Sequence, residues 1–306
     1  MHIAHFGEFA ALLTAVFWTI TAIAFEQASK KVGSLTVNLI RLVIAFFLLG
    51  IFGFFYRGYF FPSDASLHAW VWLAMSGIVG FVIGDYFLFQ SYVVVGARIS
   101  MLIMAMAPPI SALASWLLMG ETLSPKSLLG MILTLIGIAI VVLRRTEGES
   151  NRIRTKHKSV KFSYPIKGLL LAFGGAAGQG IGLVLSKYGM KNYDAFAASQ
   201  IRVLTGALGF ALLFCILRMW NKVGKAIKDR TVMKRLAIGS FFGPFLGVSF
   251  SLLAVQNTSA GIASTIMAIV PVLIIPPALI INKEKLKWKE VMGAILAVIG
   301  VAIFFL

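Results

Sequence analysis

The sequence is poor in what a soluble enzyme uses. Charged residues make up 13% of its 306 positions, against about 25% in an ordinary soluble domain. A single cysteine, Cys215, excludes an internal disulfide framework and any multi-cysteine metal centre. The four histidines, His2, His5, His68 and His157, are scattered and show no HExxH or other ligand spacing. No metal and no cofactor is therefore expected. No ATP-binding motif is present either. The glycine-rich run at 174–182, GGAAGQGIG, lies inside an apolar stretch, lacks a following GK[ST] and follows no predicted strand, so it is no phosphate loop.

Apolar residues are abundant: 59% of the chain is hydrophobic and mean hydropathy is +0.92. Ten apolar runs can be marked, at 7–28, 34–56, 69–92, 97–119, 127–143, 164–187, 194–217, 233–256, 259–281 and 288–306. Most are long enough to cross about 30 Å of hydrocarbon at 1.5 Å per residue. Barrel strands would instead alternate over about ten residues. The expectation is an all-α membrane protein with ten transmembrane helices. The first run has no basic stretch before it and reads as a retained helix rather than a cleaved signal.

The net charge of +17 follows from topology. Of the 28 Lys and Arg, Arg41 and Arg202 fall inside runs, and Arg57, Lys126, Lys187 and Lys191 fall on the side that carries both termini. The other 22 lie on the opposite side: Lys30, Lys31, Arg98 and 19 in segments 144–167, 218–235 and 283–289. The positive-inside rule makes that side cytoplasmic and places the termini outside, in a cell (inner or plasma) membrane. Membrane lipids with anionic heads are the expected partners of the basic loops, and no nucleic acid is expected.

The chain repeats itself. With residue 97 laid on 260, Ala97, Ile99, Ile103, Met104, Ala105 and Pro108 meet Ala260, Ile262, Ile266, Met267, Ala268 and Pro271. Without a gap, Glu121, Leu123, Lys126, Gly130 and Gly137 then meet Glu284, Leu286, Lys289, Gly293 and Gly300. Earlier in the chain Arg41 meets Arg202 at a slightly shorter shift. Two units, 1–143 and 164–306, each of five spans, are thus joined by a basic linker at 144–163. Five is odd, so the second unit starts from the opposite face. This is a 5+5 inverted repeat, an architecture of secondary transporters that bind substrate between the halves near the midplane.

Residues 96–142, GARISMLIMAMAPPISALASWLLMGETLSPKSLLGMILTLIGIAIVV, resemble the second part of an EamA domain of the drug/metabolite transporter superfamily. Its pattern is a small-residue helix with a mid-helix Pro, then Gly-Glu, then a Gly-rich last helix. Residues 259–306 resemble it again, with Lys283-Glu284 in place of Gly-Glu. Trp18, Arg41 and Arg202 also fit. The resemblance implies a basket of ten helices that exports or exchanges small metabolites or drug-like compounds, and no enzyme activity. The related four-helix small multidrug transporters couple protons through a first-helix Glu. Here that region reads Phe17-Trp18, so the scheme does not carry over. A passive channel and a lipid-modifying membrane enzyme are the weaker alternatives.

Ionisable groups in a bilayer cost about 2.5–3.5 kcal/mol each on insertion scales, so each needs a reason. Arg41 and Asp85 fall at the same depth in neighbouring spans and are expected to pair. Such a pair either locks two helices or, through Asp85, takes up a proton as the coupling ion. Asp85 has Val248 as its repeat partner, so the second half lacks the acid. Arg202 then either holds a carboxylate or phosphate bidentately, or turns to helix carbonyls or the interface. Trp18, Tyr86, Met104, Gln179 and Met267 supply aromatic, polar and soft surface to a substrate site, or ordinary packing between helices. Pro108 and Pro271, with Pro109, Pro276 and Pro277 nearby, interrupt spans four and nine at matching places and are read as hinges or as fixed bends. Gly130, Gly137, Gly293 and Gly300 should let spans five and ten pack closely. A monomer is expected, with a homodimer as the second choice.

Overall fold

The structure is a computed structural model that describes residues 5–150, 165–273 and 288–303. All regular elements among them are helical. The first half contains α1 (Phe6–Val32), α2 (Ser34–Arg57), α3 (Leu67–Gly77), a π-helical segment π1 (Ile78–Asp85), α4 (Tyr86–Met104), α5 (Ala107–Met119) and α6 (Pro125–Ser150). The second contains α7 (Ile166–Met190), α8 (Ala195–Leu217), α9 (Trp220–Lys228), α10 (Arg230–Ser240), π2 (Phe241–Gly247), α11 (Val248–Asn257), α12 (Ala260–Met267) and α13 (Val270–Leu273). The last helix described is α14 (Trp288–Ala302).

Six stretches are long and apolar enough to span a membrane: Phe6–Val32, Ser34–Arg57, Leu67–Gly96, Ile166–Met190, Ala195–Leu217 and Arg230–Asn257. Shorter apolar helices cover Ala107–Met119, Pro125–Ile140 and Val291–Ala302. The surface is inside-out relative to a soluble protein. Phe47, Ile51, Phe54 and Phe55 on α2 and Leu208, Leu212 and Ile216 on α8 are exposed, at the spacing of one helix face. Thr14, Asn38, Arg41, Ser76, Asp85 and Arg202 are buried. Hydroxyls inside bond back to the carbonyl four residues earlier, as Thr14 does to Ala10 (2.9 Å) and Thr134 to Gly130 (2.8 Å), which keeps them satisfied away from water.

Chain punctuation follows the glycines. Gly33 (φ 85°) separates α1 from α2, and Gly96 (φ 82°, ψ 157°) breaks α4 into the end of one span and the start of the next. Both conformations favour a residue without Cβ. Span five runs on to Ser150, so the first residues of the expected linker at 144–163 continue a helix. Segment 151–164 and the stretch with Pro276, Pro277, Lys283 and Glu284 lie outside the described residues.

The repeat reappears in the contacts. α1 packs on α10, π2 and α11, while its counterpart α7 packs on α3, π1 and α4. α5 meets α7 and α13 meets α1; α2 meets α8 and α6 meets α14. Exchanging the halves maps this set onto itself. Even the π-helical segments correspond: π1 begins at 78 and π2 at 241, the offset that lays 97 on 260. The helix-start residues Ser66 and Asp229 correspond too, and their side chains accept from Ala69 and from Thr231 and Val232 N–H. The glycine expectation for spans five and ten holds. A Cβ on Gly137 would stand 2.4 Å from the Ala297 nitrogen, and one on Gly300 2.5 Å from that of Thr134.

Candidate functional site

A cavity of about 120 Å³ lies between the halves. Its charged lining residues are Arg41, Asp85 and Arg202. Arg41 comes from α2, Asp85 from the last turn of π1, and Arg202 from α8. Local sequence positions each of them. Asn38, one turn before Arg41, accepts from Arg41 Nε (2.9 Å) and donates to the Asp85 carbonyl (3.3 Å). Arg41 Nη2 pairs with Asp85 Oδ2, and Gln179 Nε2 donates to Asp85 Oδ1 and to the Gly80 carbonyl (3.3 Å). Both carboxylate oxygens are thus committed. The Arg41 guanidinium is enclosed by the rings of Phe89 (4.7 Å), Phe25 (5.5 Å) and Phe81 (5.8 Å). The expected Arg41–Asp85 pair is present, deep and fully dressed.

Arg202 sits on the far side of Phe81, its guanidinium carbon 4.9 Å from the ring centroid. It is 3% exposed. It therefore does not turn outward to the interface. No helix carbonyl takes it either, because it makes no hydrogen bond among the described residues and its Nε is buried without a partner.

Of the other residues picked from sequence, Trp18, Met104, Gln179 and Met267 line the same cavity. Tyr86 does not, which corrects the expectation. It follows Asp85 directly, and about 100° of helical turn carries it away to Phe87 and to the apolar cluster around Leu39 and Leu42. The hinge prolines are also placed differently from a kinked helix. Pro108 stands in the first turn of α5, after a break at Ala105–Met106, and Pro271 in α13, after a matching break at Ala268–Ile269. Pro at a helix start costs no hydrogen bond, so both prolines begin a new helical stretch after a break beside the cavity.

Several site residues escaped the sequence reading. Phe81 and Phe89 flank Asp85 four residues to either side, and Asn38 precedes Arg41 by three, spacings that place them on one helix face. The pairs Gly80…Gly84 and Gly243…Gly247 carry the same offset as the other repeats and mark the π-helical segments. Gly84 meets Gly178 and Gly80 meets Gly182, backbone on backbone; a Cβ on Gly178 would stand 2.5 Å from the Gly84 Cα. In the second half Gly247 meets the Trp18 ring and Gly243 meets Thr21.

At the end of the molecule that carries the amino terminus, a second cluster joins the halves. Lys187 pairs with Glu121 and donates to the Thr258 carbonyl (2.7 Å). Glu121 also accepts from Ser115 Oγ and the Ala260 N–H, and the Thr258 hydroxyl donates to Glu8 (3.0 Å). Burial works against the Glu121 charge, but Lys187, Ser115 and the Ala260 amide outweigh it and hold the carboxyl below its ordinary range.

A family model described as "EamA-like transporter family" matches residues 5–143 and 166–306. No curated protein matches the chain. A solved structure described as "Crystal structure of protein" is similar in fold, with a TM-score of 0.73 and 18% sequence identity over 97% of this chain and 95% of that one. With the family model spanning both halves, and apolar helices crossing repeatedly, the chain belongs to the EamA-like transporters, a non-enzymatic family, and is a multi-pass membrane protein for the transport of small molecules.

Proposed function

We propose that the protein is a secondary-active carrier that exports or exchanges small organic metabolites or drug-like compounds by alternating access. The carrying observation is the cavity, lined by Trp18, Arg41, Asp85 and Met104 from one half and by Gln179, Arg202 and Met267 from the other. A site shared by two halves related by exchange has two equivalent ways to open.

Ten spans in a 5+5 inverted arrangement fit the polar contacts. Lys187–Glu121–Thr258–Glu8 and Arg57–Asp64–Tyr193 join segments that the span count places on the side of the termini. Lys31–Asp229 joins segments on the basic side. No described ion pair links opposite sides. The short helix α9 carries exposed Trp220 and Ile227 together with Lys222, Lys225 and Lys228, as suits a helix lying in a headgroup layer on the cytoplasmic side. Helices broken beside the cavity are also a habit of carriers.

Protons are the coupling ion in this reading. Asp85 is the one described carboxylate on the cavity wall, and a proton there would release Arg41. Opening toward the termini would require the Lys187–Glu121 cluster to part. Counterflow in proteoliposomes tests the reading: internal unlabelled substrate should accelerate entry of labelled substrate, and Asp85→Asn should abolish its dependence on a pH gradient. Flux without counterflow would mean a passive pore, and unchanged pH dependence in Asp85→Asn would remove the coupling role.

A further inference from the structure

Among the described residues the cavity wall carries one positive charge in excess. Two guanidiniums and one carboxylate line it, and that carboxylate is fully used by Arg41 and Gln179. Among the described residues Arg202 receives the face of Phe81 but no hydrogen-bond acceptor for its five N–H groups, and Asp85 acts on it only through space. A buried charge without a hydrogen-bonded partner is costly to keep. Gly80 lets the guanidinium approach the π1 backbone closely: a Cβ there would come within 3.2 Å of Arg202 Nη2.

The repeat says what is missing. Arg41 and Arg202 correspond, and so do Asp85 and Val248, and all four line the cavity. Where the first half supplies its own acid, the second presents a valine. We infer that the partner of Arg202 is the carboxylate of a transported organic monoanion, which takes the place that Asp85 fills beside Arg41. The inference rests on the cavity being the substrate site. The guanidinium fork matches a carboxylate in bidentate geometry. One excess positive charge selects one negative charge. The rest of the wall, Trp18, Phe25, Met104 and Met267, suits an apolar or aromatic body. The cavity is close in size to an engineered one of about 150 Å³ that admits benzene, so the body is compact.

Three probes of one shape test this on the purified full-length protein: phenylacetate, phenylacetamide and phenethylamine, read by thermal shift and by Trp fluorescence. Phenylacetate should raise the melting midpoint with an affinity at least tenfold above the amide and the amine. Arg202→Gln should abolish that shift and Arg202→Lys should weaken it. Val248→Asp, which supplies the absent acid and removes no cation, should raise the ligand-free midpoint and abolish the response to phenylacetate. It decides the matter if Arg202→Gln does not fold. Equal shifts by the amide or amine, a phenylacetate response that survives Val248→Asp, or no response to phenylacetate and to a series from acetate to octanoate would each overturn the inference. Carboxylate binding without counterflow would remove the carrier reading and leave the anion site standing. Counterflow of amines without carboxylate binding would do the reverse.

Discussion

Arg41 and Arg202 occupy corresponding places in the two halves and live in different company. Arg41 has an acid, an amide and three aromatic rings around it. Arg202 shares one of those rings and has a buried Nε with no acceptor. The repeat holds two copies of the arginine, and only the first half supplies an acid to match. A complete unit is satisfied until a proton reaches its acid; an incomplete one has capacity for a ligand.

The largest effect should come from reversing these roles. Arg41→Met strips Asp85 of its partner and should cost about 3–5 kcal/mol, the usual penalty for a buried charge left alone. Arg202→Met removes a charge with no hydrogen-bond acceptor among the described residues and should cost far less than Arg41→Met. Thermal unfolding of both variants in the same detergent checks this, and equal losses would erase the distinction.

Next comes the seam on which each π-helical segment rests. Gly178→Ala drives a methyl into the Gly84 backbone and should cost about 1–3 kcal/mol as overpacking. Gly224→Ala, in α9 with nothing within 4 Å, should cost nothing and serves as the control.

A smaller difference separates the helix starts. Ser66→Ala should cost about 1 kcal/mol through loss of the cap. Its counterpart Asp229 also pairs with Lys31, whose hydrogen bond, helped by the Val232 amide, holds the carboxyl below its usual range. Asp229→Ser should therefore be felt at neutral pH and vanish in acid.

The smallest expected effect is at the cross-half cluster. Because the Glu121 carboxyl lies below its ordinary range, its contribution is complete above about 4.5 and is lost as pH falls through the lowered value. Glu121→Gln should cost under about 1 kcal/mol at neutral pH and flatten the acid limb of the stability profile.

Much of the fold could be read from the sequence because membrane spans advertise themselves. Apolar runs, the paired Arg41 and Arg202, and the coincident Gly130 and Gly293 require no tertiary knowledge. The Arg41–Asp85 pair followed from depth alone. Tyr86 was misplaced because depth says nothing of azimuth, and one residue of helix rotation separates cavity from core. The aromatic surround of Arg41 was hidden because Phe25 belongs to one span and Phe81 and Phe89 to another, neither of them the span that carries Arg41, in a chain with 25 Phe. The π-helical segments were also missed, although GxxxG spacing occurs at matching places in both halves.

The glycine seam has a mechanical consequence. Across Gly80, Gly84, Gly178 and Gly182 backbone meets backbone without side-chain ridges, so a shear of α7 along π1 is opposed mainly by the hydrogen bonds of Gln179 and Ser76. The equivalent seam in the other half has an indole and a threonine wedged into it. Two joints of common origin thus have unequal stiffness, and displacement under load will concentrate at the smoother one.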